Sequence, residues 1–182
     1  MEFSDGFSCS LRLSWCSVDL SRVSQLNDED YYVVVDCAQC FEAEKDALKY
    51  ISMAEHSEFN LSQKLLKKGH SRQSVSRVCD YLKSKKILCD ERFSHAFLRN
   101  RIINHNEGRV RLVAELRKRG VAADIAQSSV DRFFAEHDEM ALLEKELDKI
   151  RWRNLPHEKI FSHLLAKGFS PRNIREKLCC FR

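Results

Sequence analysis

The chain has 182 residues, 43% of them hydrophobic and 32% charged, with 31 Lys and Arg against 27 Asp and Glu. That apolar share is enough for a true core and excludes a chain disordered by composition. Only 5 Gly and 2 Pro serve the whole length, too few for the turns of a sandwich or barrel, so a mainly α fold is predicted.

Residues 1–42 differ from the rest of the chain. They carry 8 acidic side chains and 2 basic ones, Arg12 and Arg22, a balance of −6, whereas residues 43–182 carry +10. The start Met1-Glu2-Phe3-Ser4-Asp5 is acidic and lacks the apolar run of a secretory signal. The apolar stretch at residues 31–35 is far too short to cross a bilayer, so a cytoplasmic protein is expected, without membrane contact. Leu11, Leu13 and Trp15 alternate with Arg12, Ser14 and Cys16, Asn27-Asp28-Glu29-Asp30 reads as a turn, and Tyr31-Tyr32-Val33-Val34-Val35 is aromatic and β-branched. These signals predict a small β-hairpin within residues 1–42, leaning on the helical body because two strands are not stable alone. The charge contrast predicts a separate acidic lobe, dispensable for partner binding, on a basic body that meets something anionic.

From residue 43 the apolar spacing becomes helical and the chain repeats itself. Leu61-Ser-Gln-Lys-Leu65-Leu-Lys-Lys-Gly69, Leu112-Val-Ala-Glu-Leu116-Arg-Lys-Arg-Gly120 and Ile160-Phe-Ser-His-Leu164-Leu-Ala-Lys-Gly168 superpose. In each, apolar residues four apart face one side of a helix, basic residues fill the last turn, and a glycine closes it in the left-handed conformation. Ser71 and Ser170 then offer caps for the next helix, with Pro171 at its first position. Those third helices carry Val75, Val78 and Leu82, then Ile125 and Val130, then Ile174 and Leu178. First helices are expected over about 43–56, 90–105 and 138–152, the second capped by Asp90. The prediction is three tandem three-helix repeats, 43–89, 90–137 and 138–182, whose thin individual cores must stack into an elongated array.

Chemistry finds little support. Cys37-Ala-Gln-Cys40 has the spacing of a redox or zinc pair, but Cys9 and Cys16 lie seven apart and make a poor second pair. Cys79, Cys89 and Cys179 fall at positions suited to small buried hydrophobes. No phosphate-binding glycine loop or hydrolase motif is present, and His105, His137 and His157 fall near helix boundaries. Ser57, beside His56, precedes Glu58 and is better read as a helix cap than a nucleophile. No catalytic residue, cofactor or metal is therefore expected. Basic residues draw more interest: Arg99, Arg101, Arg109 and Arg111 crowd thirteen positions, Lys118 and Arg119 end the middle helix of the second repeat, and Arg172 and Arg175 stand in the last helix. Arginine forks suit carboxylates and phosphates alike, so these eight are the expected partner-binding surface.

The repeats resemble the RecX family, bacterial regulators of the RecA recombinase. Glu55-His56-Ser57-Glu58 with Leu61, Lys64 and Leu65 is similar to that family's first-repeat motif. Leu88-Cys89-Asp90-Glu91-Arg92-Phe93 with Phe97 and Arg101 is similar to the entry of its second repeat. Gly108-x-x-Arg111-Leu112-x-x-Glu115-Leu116-x-x-Arg119-Gly120 is similar to its most recognisable segment, and Lys167-Gly168-Phe169-Ser170 with Ile174 to its third repeat. Lys86 departs from the usual glycine, Cys89 from the usual acidic residue and Arg109 from the usual proline. The resemblance covers residues 43–180 and leaves 1–42 unassigned. It implies a non-enzymatic protein, expected to be a monomer, that binds RecA and its filament on single-stranded DNA. There it would restrain ATP hydrolysis and strand exchange in homologous recombination, DNA repair and the SOS response. Weak direct DNA binding is a subsidiary expectation. The alternative is a helix-turn-helix-like DNA-binding protein without a recombinase partner; the third helix of the second repeat, Ala122-Ala-Asp-Ile-Ala-Gln-Ser-Ser, is weakly charged for that task.

Overall fold

A computed structural model of the chain describes residues 8–19, 26–151 and 155–180. The acidic start at residues 1–5 and the helix end expected at residue 152 lie outside them. The chain divides into two compact units, Met1–Cys89 and Asp90–Arg182.

In the first unit, α1 spans Asp28–Met53, α2 Glu58–Lys67 and α3 Arg72–Ser84. Asn27 caps α1 by accepting the Asp30 N–H at 2.7 Å, and Asp28, Glu29 and Asp30 place three carboxylates at its positive end. Val34, Cys37, Ala38, Cys40, Ala43, Glu44 and Ala47 are its buried side, a helical stripe of mostly small side chains on which α3 packs closely.

The expected hairpin is not there. Residues 31–35 belong to α1, residues 13–15 form one 3-10 turn, and no strand occurs among the described residues. The β preference of tyrosine and valine spans only about 1 kcal/mol per residue, and a capped, acidic first turn with a buried stripe outweighs it. Nor do the described residues among 1–42 form a separate lobe, because the expected boundary at 42/43 falls inside α1. Trp15 packs against the same core as Leu61, Leu65, Val78 and Leu82.

The second unit holds α4 (Asp90–Asn104), α5 (Arg109–Arg117), α6 (Ala123–Glu136), α7 (Glu139–Arg151), α8 (His157–Ala166) and α9 (Pro171–Cys180). Leu98, Leu112, Leu116, Val130, Leu143, Leu147, Leu164, Phe169 and Ile174 form one continuous core, so the second and third repeats bury their apolar faces together. Asp90 opens α4 as its first helical residue rather than capping it from outside.

The turn chemistry matches the sequence. Gly69, Gly120 and Gly168 have φ of +100°, +80° and +87°. Ser57 and Ser71 cap α2 and α3, and Ser170 accepts the Asn173 N–H at 3.1 Å. Lys86, at φ +57°, holds the left-handed conformation without being glycine. Cys79 is buried as expected, whereas Cys89 is half-buried and Cys179 exposed on α9.

Candidate partner-binding site

In every repeat the residue just before the turning glycine reaches back to the first helix. Lys68 pairs with Asp46, which also takes a 2.7 Å hydrogen bond from His70. The Arg119 guanidinium lies 4.4 Å from the Phe97 ring centre. Lys167 sits 3.2 Å from Glu146, a buried carboxylate that His163 meets at 2.9 Å and Asn106 at 3.2 Å. Burial pushes the Glu146 carboxyl up, but hydrogen bonds from His163, Lys167 and Asn106 outweigh it and hold it below its ordinary value.

The arginines around the α4–α5 turn are largely occupied. Arg101 grips the buried Glu107 with two parallel hydrogen bonds, 2.8 and 3.0 Å, which raise its own pKa. Arg111 stands 3.7 Å from Glu107 and 3.4 Å from Glu115. Arg119 donates to Glu115 at 2.8 Å, and that bond, with Lys118 at 3.6 Å, holds the Glu115 carboxyl low. Arg109 ties three helices together: its backbone N–H and Nε meet Glu139 at 3.1 and 3.2 Å, an Nη meets Asp131 at 2.7 Å, and its plane lies over Phe134. A proline there could not donate the first of these bonds.

The same turn docks on the third repeat. The Gly108 N–H donates to the Lys167 carbonyl at 3.0 Å and the Val110 N–H to the Gly168 carbonyl at 3.3 Å. Orphan amides at the start of α5 thereby satisfy orphan carbonyls at the end of α8. A Cβ on Gly108 would lie 2.3 Å from the Gly168 oxygen, so the close approach demands glycine.

Of the eight basic residues singled out in the sequence, Arg101, Arg109, Arg111 and Arg119 thus serve intrachain pairs. Arg99, Arg172 and Arg175 are exposed on α4 and α9, the last beside Phe161, and Lys118 is exposed beyond its contact with Glu115. Sequence reasoning missed the carboxylates that engage the arginines, yet a signal exists: Glu107, Arg111, Glu115 and Arg119 recur every fourth residue with alternating sign, the spacing of helix ion pairs. His56 is buried, held by the Ala54 carbonyl at 2.7 Å and Lys64 at 2.6 Å, while Ser57 caps α2.

Comparison with known proteins identifies the architecture. Residues 43–82 match the family model described as the first three-helix domain of RecX, and residues 90–129 match its second three-helix domain. A protein of Treponema pallidum named regulatory protein RecX is 36% identical over 151 residues, covering 83% of this chain and 92% of that one. The chain belongs to the RecX family. A RecX protein of Prosthecochloris aestuarii is 31% identical, over 72% of this chain and 88% of its own. The crystal structure of a regulatory protein RecX superposes with a TM-score of 0.75 at 21% identity, over 84% of this chain and 77% of that one. RecX from Lactobacillus salivarius gives 0.66 at 19%, over 76% and 93%; at such identities these likenesses concern the fold. The RecX relatives are named regulatory proteins, and no helix among the described residues is long and apolar enough to cross a membrane. Against the RecX pattern, the Lys86 departure occupies a left-handed turn and the Arg109 departure adds the Glu139 bond.

Proposed function

We propose that this chain is a non-enzymatic cytoplasmic regulator that binds RecA and its filament on single-stranded DNA. It restrains ATP hydrolysis and strand exchange in recombinational repair and the SOS response, and acts as a monomer. The observation that carries the reading is the 36% identity to a regulatory protein RecX along nearly its whole length. Three three-helix repeats, the first opening with α1 at Asp28 and the others bounded at 90–137 and 138–182, supply the scaffold. Arg99, Lys118, Arg172 and Arg175 make the contacts, because their charges project into solvent. Arg101, Arg109, Arg111 and Arg119 support the shape of that surface and contact the filament only through their outer edges. A sequence-reading DNA protein fits less well: α6 exposes Asp124, Gln127 and Asp131, and Asp131 is already bound by Arg109.

The test is RecA on single-stranded DNA with ATP hydrolysis followed in time. Adding the chain well below one copy per RecA subunit slows hydrolysis and strand exchange. Unchanged rates at equimolar protein overturn the proposal.

A further inference from the structure

Residues 8–19 cross the first unit as a strap. Arg12 binds the buried Glu44 of α1 with two hydrogen bonds, 2.6 and 3.0 Å, and its guanidinium lies 5.2 Å from the Tyr81 ring of α3. Trp15 meets the same ring edge-on at 5.1 Å. The next residue, Cys16, is half-buried at the end of the 3-10 turn. Facing it from α1 is Cys37, almost wholly buried, whose thiol donates to the Trp15 carbonyl at 3.1 Å, one residue before Cys16, while the Cys16 thiol meets the Val18 carbonyl at 3.8 Å.

The Cys37 sulfur thus lies against the backbone that carries Cys16, and the Arg12 and Trp15 contacts anchor that backbone, which is the proximity a disulfide requires. The Cys37–Cys40 pairing suggested by sequence spacing is not formed: both are free, buried thiols on α1.

We propose that Cys16 and Cys37 form an oxidative modification site that takes a low-molecular-weight disulfide as oxidant and fastens the strap to α1 by an intrachain disulfide. Cys37 is almost wholly buried, which pushes its thiol up to about 11, whereas Cys16 is half-exposed and within reach of a small oxidant, so the first attack falls to Cys16. The Cys16 thiolate attacks the small disulfide RSSR, forming Cys16–S–S–R and expelling RS−, which takes up the proton that Cys16 lost. Cys37 then gives up its proton and attacks the Cys16 sulfur, closing Cys16–S–S–Cys37 and releasing the second RSH. Two protein thiols are oxidised and one small disulfide is reduced to two thiols. The strap also walls a cleft of about 930 Å³, where Ser8 and Ser10 oppose Tyr31, Gln39 and His70, so the bond fixes one wall of that opening.

The experiment uses the full chain and oxidised glutathione as the oxidant. Peptide mapping without reductant is expected to recover one peptide pair joined through Cys16 and Cys37 with the loss of two hydrogens. Melting of the oxidised protein should rise by roughly 5 °C or more and return on reduction. C16S, shown folded by circular dichroism, should lose both effects, while C40S should keep them. A bond joining Cys37 to Cys40, a bond between chains, only glutathione adducts, or no oxidation of Cys16 would each overturn the proposal.

Discussion

Glu107 and Glu115 are carboxylates almost without solvent, each faced by more than one cation, and this decides what the neighbouring arginines do. Removing one partner of such a pair leaves a buried charge uncompensated, which costs far more than an exposed pair contributes. Arg101→Ala should therefore lower stability by about 2–4 kcal/mol, against about 0.5 kcal/mol or less for Arg99→Ala on the same helix. Urea unfolding of the two variants checks this, and equal midpoints would show that Glu107 does not depend on Arg101. Acid provides a second test. The Glu115 and Glu146 carboxyls are held below their ordinary value of 4.5, so the unfolded chain binds their protons first as pH falls. Their stabilisation is complete above about pH 4.5 and is lost as pH falls through the lowered folded values. Glu146→Gln should be less stable at neutral pH and lose less on acidification, read as melting temperature against pH. The sequence displayed the alternating charges from Glu107 to Arg119 but could not reveal that Arg109 meets Glu139, because that contact joins residues 30 apart.

Among the elements, the helices from α2 onward were legible because their signals are local: apolar residues four apart, a closing glycine, a capping serine. Helix α1 was only half legible. Its first turns are written in tyrosine and valine, and the Asn27 cap with its acidic turn reads equally well as a hairpin loop until the buried stripe from Val34 to Ala47 is placed against α3. This changes the expectation for truncation. Deleting residues 1–42 removes Val34, Cys37 and Cys40 from the interior together with the Arg12 partner of buried Glu44. The truncated chain should lose the cooperative melting of its first unit and much of the helical signal of residues 28–84, as read by circular dichroism. A native-like melt would mean that α1 contributes little to that unit.

At the scale of the whole molecule, two units are built from one repeated design: a helix, a second helix ended by a basic residue and glycine, and a third helix. The clasp before the glycine keeps its place while its chemistry changes, from Lys68 on Asp46 to Arg119 on Phe97 to Lys167 on Glu146. The repeat was visible in the sequence because turn chemistry leaves fixed letters. The division of labour among the basic residues was not, because an arginine paired within the chain and one free to meet a partner are spelled alike. The proposed division is tested most directly by inhibition of RecA ATP hydrolysis on single-stranded DNA by a variant with Arg99, Lys118, Arg172 and Arg175 all replaced by alanine. With melting temperature unchanged, the variant is expected to need at least about tenfold more protein than the parent chain for equal inhibition, in line with the loss of about 1.4 kcal/mol or more of binding. Inhibition equal to the parent's would show that these four residues do not make the contacts and would move the contact surface elsewhere.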